Sequence, residues 1–137
     1  MKFFPEFNFY SESWIERPVD EVFEFFSHAE NLQVITPPWL SFQILTPQPI
    51  SMAAGTLIDY RLKLYGLPMK WKTEISVWEP PYRFIDAQLK GPYKKWVHEH
   101  RFIADNGGTR ITDSVDYAIP GGPFSYMIHK MSVRGNI

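Results

Sequence analysis

The stretch GPYKKWVHEHRF carries two histidines one residue apart, His98 and His100, and an aspartate, Asp113, stands in the next run of alternating residues. Imidazole is the side chain that exchanges its proton nearest neutral pH, and a carboxylate beside it orients the ring and favours imidazolium, so His100 with Asp113 is competent for general acid–base work. Two histidines at i and i+2 on a strand also lie about 6.5 to 7 Å apart at Cα and can share a metal, with Asp113 as a third ligand. A buried His100–Asp113 hydrogen bond could equally satisfy a polar core and do nothing else, because buried polar groups need partners in any case. The remaining use is as the polar end of a binding cavity.

Which use applies depends on what surrounds these side chains, and the turn Asp105-Asn106-Gly107-Gly108 determines that. Asn-Gly suits the two positive-φ positions of a type I′ turn between paired strands. With Asp105 opposite Gly108, Phe102 faces Ile111, His100 faces Asp113, His98 faces Val115 and Trp96 faces Tyr117, all on one side of the sheet. The other side collects Val97, Glu99, Arg101, Arg110, Thr112, Ser114 and Asp116, the composition of a solvated surface. Both histidines and Asp113 therefore sit among large apolar rings, which favours the cavity.

Other chemistries find little support. The chain has no cysteine, so thiolate nucleophiles, thiolate metal sites and disulfides are excluded and an oxidising compartment gains nothing. There is no Gly-x-Ser-x-Gly elbow, phosphate loop or dinucleotide fingerprint. Two histidines on one strand with one aspartate and no second His or Cys cluster form a weak metal set, and we expect neither metal nor cofactor.

The elements that must hold these residues can be read in order. Phe7 to Ile15 alternates and is rich in aromatics, as in a strand. Pro18 with Asp20 and Glu21 opens a helix, Val19, Val22, Phe23 and Phe26 form its apolar stripe, and it ends near Ser27. A second short helix, from Ala29 to about Ile35, stops at Thr36-Pro37-Pro38, with Trp39 in a following loop.

Period two then governs a meander of antiparallel strands. Phe42 to Leu45 is short. Thr56 to Leu64 puts Ile58, Tyr60, Leu62 and Leu64 on one face, and Met69 to Val77 does the same with Trp71, Thr73, Ile75 and Val77. The two are joined through Tyr65-Gly66-Leu67-Pro68. For Arg83 to Leu89 two facings remain open, Phe84/Asp86/Gln88 or Ile85/Ala87/Leu89 inward. Asp86 is carried as a candidate site residue on the first of these. Lys95 to Ile103 and Thr109 to Ile119 complete the sheet. After Pro120-Gly121-Gly122-Pro123, the spacing of Phe124, Met127, Ile128 and Met131 predicts a closing helix.

The 137 residues, 45% hydrophobic, fit one domain spanning 1–137. A formal charge of -1 argues against a nucleic-acid surface, and the lysines at 63, 70, 72, 94 and 95 are interspersed with Asp59, Glu74 and Glu99 in a solvated face. Prolines at 37, 38, 47 and 49 interrupt the longest uncharged run, so no membrane-spanning helix is expected. The opening MKFFPEFNFY lacks the features of a secretory signal and reads as mature protein, with the cytoplasm as the expected location. Aromatic content is 17%, enough to wall either a core or a cavity.

The element order and the segments RPVDEVFEFFSHAENLQVITPPWLSF, GTLIDYRLKLYGLPMKWKTEI and WEPPYRFIDAQLKGPYKKWVHEHRF resemble the START-like, birch-pollen-allergen-like superfamily known as SRPBCC. They are most similar to its small bacterial ligand-binding members, including the polyketide cyclase/dehydrase group and domains fused to sugar-nucleotide epimerase-like proteins. The resemblance implies an α+β helix-grip fold, in which a curved antiparallel sheet with two short helices after its first strand wraps a C-terminal helix over an apolar cavity. It covers lipid and hormone carriers as well as cyclases and oxygenase domains, so function does not follow from fold. The closing stripe here, Phe124 to Met131, is about two turns long, shorter than in that superfamily. A second copy or a partner chain covering it is one expectation from this.

These readings converge on a chain that binds a lipophilic small molecule. Tyr60, Trp71, Trp96 and Tyr117 form its apolar wall, and Asp86, His98, His100 and Asp113 its polar end. The runner-up is a cyclase- or dehydratase-type enzyme using His100 with Asp113; a third reading is a protein-interaction module with a remnant pocket.

Overall fold

The computed structural model describes residues 6–31, 41–64 and 66–119. Within them, β1 (Glu6–Ile15) leads to α1 (Val19–Phe26), and six further strands follow: β2 (Gln43–Ile44), β3 (Leu57–Leu64), β4 (Leu67–Glu79), β5 (Arg83–Lys90), β6 (Lys95–Asp105) and β7 (Gly108–Ala118). All seven strands form one antiparallel sheet in the order β1-β7-β6-β5-β4-β3-β2. Only the long excursion that brings β1 beside β7 departs from a simple meander, and it places the first strand next to the last.

The Asn106-Gly107 turn adopts positive φ at both residues, 50° and 76°, as a type I′ turn requires. It sets the β6–β7 register expected from the sequence, with His100 opposite Asp113, His98 opposite Val115 and Trp96 opposite Tyr117. The β3–β4 hairpin is tighter than its sequence suggested. Leu64 pairs with Leu67, so Leu67 and Pro68 already belong to the strand and Gly66, at φ 82°, supplies the left-handed backbone of the turn.

The β4–β5 pairing shifts register twice, between Lys72 and Thr73 and between Ile75 and Val77, and the second shift redirects side chains toward the site. There Ile75 pairs with Asp86 while Val77 pairs with Ile85 and Trp78 with Phe84. The extra residue moves Val77 off the inner face, where unbroken alternation had put it, and brings Trp78 there instead. Trp78 then reaches Phe23 of α1, ring centroids 5.1 Å apart.

α1 begins directly after Pro18, whose backbone is extended (φ -60°, ψ 150°), and has Asp20 and Glu21 in its first turn, where carboxylates suit the positive end of the helix dipole. It buries Val22 and Phe23. Phe23 sits among Phe84, Phe102 and Trp78, so the helix closes one end of the sheet's inner face. A second apolar cluster, Trp96, Val115, Tyr117 and Ile119, lies at the other end, and a third, Ala29, Ile58, Tyr60 and Ile75, lies under β3 and β4. The second short helix, apart from its first residues, Trp39 and the closing helix from Phe124 to Met131 lie outside the described residues.

Candidate functional site

The inner face of β5, β6 and β7 brings four ionisable side chains together between the three apolar clusters. Phe84 is buried and pairs with His100, and Asp86 pairs with His98, which answers the open question of β5: the Phe84/Asp86 set faces in. His98 and His100 come from β6 and Asp113 from β7. Asp86 and Asp113 thus flank the two imidazoles from opposite sides.

Their contacts are crossed. The residues directly opposed across the ladder are Asp86 with His98 and Asp113 with His100, yet these are the longer separations, 3.9 Å from His98 Nδ1 to Asp86 Oδ2 and 3.3 Å from His100 Nδ1 to Asp113 Oδ1. The short hydrogen bonds run diagonally: His100 Nε2 to Asp86 Oδ2 at 2.6 Å and His98 Nε2 to Asp113 Oδ1 at 2.8 Å. The expected His100–Asp113 contact is thus present, but it is not the shortest in the network. Nδ1 lies close to the backbone and meets whatever stands straight across. Nε2 lies at the far end of the ring and reaches the diagonal neighbour, about 7 to 8 Å away at Cα, which a long side chain can span.

The rings hold one another in place. His98 and His100 stack with centroids 3.6 Å apart, Phe84 stacks on the far side of His100 at 4.1 Å, and Trp96 meets His98 edge-on at 6.4 Å. His100 has a carboxylate oxygen at each nitrogen, and only the doubly protonated imidazolium can donate to both. Burial pulls its pKa down, but the contacts with Asp113 and Asp86 outweigh this and lift it to about 9. His98 goes the other way: burial and the charge on His100 beside it push its pKa below the ordinary histidine value. Burial works to raise both aspartates, yet the adjacent imidazoles win and hold both carboxyls below their usual range.

Asp86, His98 and His100 each bring a ligand-type atom within 4.8 Å of the others. The spacing is nevertheless that of hydrogen bonds. Ligands about 2.1 Å from a tetrahedral ion stand roughly 3.4 Å apart, whereas His100 Nε2 and Asp86 Oδ2 are at 2.6 Å. Stacked rings also point their in-plane lone pairs side by side instead of converging. The residues present do not fit a metal in this arrangement.

Among the expected wall residues, Trp71 packs edge-on against Trp96 at 5.3 Å, and Phe7 stacks on Tyr117 at 5.4 Å. Tyr60 is only 6% exposed; burial and the nearby Asp86 carboxylate both push its hydroxyl pKa up. A shallow groove of about 430 Å³ at the β2–β3 edge shares Tyr60 with this set but is otherwise lined by Leu45, Thr46, Pro47, Leu57, Asp59 and Lys70. It does not include the His/Asp cluster. Tyr93 was missed in the sequence; its ring lies 4.7 Å from that of Trp96 and 5.7 Å from that of Trp71. The signal for it was Gln88, whose side chain bonds the Tyr93 backbone and folds the β5–β6 connection inward.

Residues 15–134 match the family model described as polyketide cyclase / dehydrase and lipid transport. Among solved structures, the Zhui aromatase/cyclase from Streptomyces sp. R1128 is similar over 96% of this chain and 87% of its own, with a TM-score of 0.75 at 15% identity. Major latex-like protein 151 from Panax ginseng is similar over 93% and 92%, with a TM-score of 0.64 at 18% identity. The nucleoside-diphosphate sugar epimerase from Corynebacterium glutamicum is 27% identical over 78% of this chain, with a TM-score of 0.63, but that match takes in only 24% of the epimerase. No curated protein sequence matches this chain. The curved sheet with its short helix is the helix-grip fold of these neighbours.

Proposed function

Because the chain belongs to the polyketide cyclase / dehydrase and lipid transport family, we propose that it is one domain over 1–137 that binds a hydrophobic or amphipathic small molecule on the inner face of its sheet. Tyr60, Trp71, Trp96 and Tyr117 are the apolar wall, and Asp86, His98, His100 and Asp113 the polar end. One observation carries this reading: a four-residue charged network stands between three apolar clusters, with the outer oxygens of both carboxylates unused by any described residue. A purely structural His–Asp pair would use its oxygens internally, whereas these remain open to a further donor. Apolar walls with a few convergent polar groups are the usual makeup of a small-molecule site.

The absence of cysteine agrees with a reducing compartment, and we assign the cytoplasm. No helix among the described residues is long and apolar enough to cross a membrane.

A second reading, turnover by His100 with Asp113 as general acid/base, draws on the same network: an imidazolium held between two carboxylates is a proton source. It leaves no free lone pair on His100, so the residue would act as an acid only. Native mass spectrometry of freshly purified protein should show a co-purified lipophile. Displacement of N-phenyl-1-naphthylamine, followed by tryptophan fluorescence, then measures affinity. A protein that carries no lipophile and does not take up the probe is not a carrier, and capture of a protein partner unaffected by Trp71→Ala would favour an interaction module.

A further inference from the structure

The charges in the network do not cancel, and the ladder geometry alone supplies the count. Asp86 and Asp113 both accept hydrogen bonds and are carboxylates, contributing two negative charges. His100 faces a carboxylate oxygen with each of its nitrogens and is an imidazolium, contributing one positive charge. His98 makes one hydrogen bond, through Nε2, and its Nδ1 is 3.9 Å from the nearest carboxylate oxygen. A neutral ring satisfies it. Protonating it as well would set two imidazolium rings face to face at 3.6 Å, where like charges disfavour one another. Their depressed and elevated pKa values run in the same sense. The network therefore holds one net negative charge.

Among the described residues, nothing nearby on the inner face offsets it. On β1, β3, β4, β6 and β7 every Lys and Arg falls on the outer face, as with Lys72 beside Asp59 and Lys95 beside Glu6. Asp86 Oδ1 and Asp113 Oδ2 accept no hydrogen bond from any described residue, although Asp86 and Asp113 are only 21% and 23% exposed at the side chain. Tyr60, 6% exposed, has its hydroxyl within the influence of Asp86 and makes no hydrogen bond among the described residues. Neither oxygen is a buried orphan, so both are open to an incoming donor, and electron-rich ring faces stand around them to receive a cation.

Resting on the ligand-binding reading above, we propose that the site selects a lipophilic amine: an apolar body against Trp71 and Trp96, and an ammonium donating to Asp86 Oδ1 and Asp113 Oδ2. A carboxylate or phosphate head group would meet two carboxylates and a single imidazolium already engaged by both.

Decylamine, decanol and decanoate share one alkyl chain and differ in the head group. Near neutral pH, the wild-type protein should bind decylamine at least about tenfold more tightly than decanoate, with decanol between them. In Asp113→Asn, which keeps the shape and removes a charge, the preference for the amine should shrink severalfold. Decanoate binding as tightly as decylamine, or a preference unchanged in Asp113→Asn, overturns the proposal while leaving the carrier reading intact. Failure of all three ligands to bind removes both. Should Asp113→Asn not fold, the wild-type comparison alone decides, because it needs no variant.

Discussion

Replacing Asp86 by asparagine keeps an oxygen 2.6 Å from His100 Nε2 but removes the charge that makes the contact strong. The elevation of His100 from 6.5 to about 9 corresponds, at about 1.4 kcal/mol per pKa unit, to a contribution on the order of 3 kcal/mol. Asp86 supplies the shorter of its two carboxylate contacts while Asp113 remains on Nδ1, so His100 in Asp86→Asn should titrate well below its wild-type value, and stability near neutral pH should fall by about 1 to 2 kcal/mol. The pH dependence has a definite sign. A folded pKa above the unfolded one means that the His100 contribution is fully present below about 6.5 and is lost as pH rises through about 9. Wild type should thus lose more stability across that window than the variant, and the gap between them should narrow by about pH 10. Urea unfolding across this range reads the gap, and long-range imidazole ¹H–¹⁵N spectra read the titration directly. If His100 titrates identically in both proteins, or the stability gap is the same at both ends of the window, the crossed pairing is wrong.

Three further outcomes follow from packing and from acid. Phe102 is 1% exposed and touches the rings of Phe23, Phe26 and Phe84, so Phe102→Ala should cost about 3 to 5 kcal/mol in urea unfolding; a loss below about 1 kcal/mol would mean the end of the sheet under α1 is loosely packed. A Cβ on Gly108 would stand 2.5 Å from the Ile15 carbonyl oxygen and from the Trp14 ring, so Gly108→Ala should speed amide exchange along β1, and unchanged exchange there argues against the close approach of β1. Asp113 and His98 both have folded pKa values below their ordinary ones, so the stability each supplies is present above its unfolded pKa and lost as pH falls; Asp113→Asn should flatten the acid limb of the stability profile, and an acid limb of wild-type steepness would refute it.

How far the site could be read before the structure depended on what each residue's signal encodes. Asn106-Gly107 demands positive φ twice, and that local requirement propagates through the β6–β7 ladder to put His100 and Asp113 on one rung with the rings of Trp96, Phe102 and Tyr117 on the same face. The pleat then assigned Tyr60 and Trp71 correctly, because hairpin and alternation agree along β3 and β4. Three things were beyond it. The irregularity after Ile75 leaves no mark in a segment that goes on alternating through Val77, so the inward turn of Trp78 came only with the pairing to β5. Strand β5 offers two apolar-enough faces, and only its contacts with β6 select the one bearing Asp86. Finally, a register relates Cα atoms, whereas the hydrogen bonds depend on how far each ring nitrogen lies from its own backbone, which is why Asp113 bonds most closely to His98 and His100 to Asp86.

The diagonal pairing leaves a trace in how the sequence can drift over generations. Losing Asp86 alone leaves His100 Nε2 without its acceptor, and losing His98 alone strips Asp113 of its closest donor; either step leaves a largely buried polar atom without its partner, a costly kind of single change. Viable lineages should therefore pass through joint replacements, and the partners that change together should be positions 86 with 100 and 98 with 113, not the rungs 86 with 98 and 100 with 113 that a map of strand pairing would nominate. The coupling crosses from β5 to β6 and from β6 to β7, so three strands share one inherited constraint that none of them carries alone.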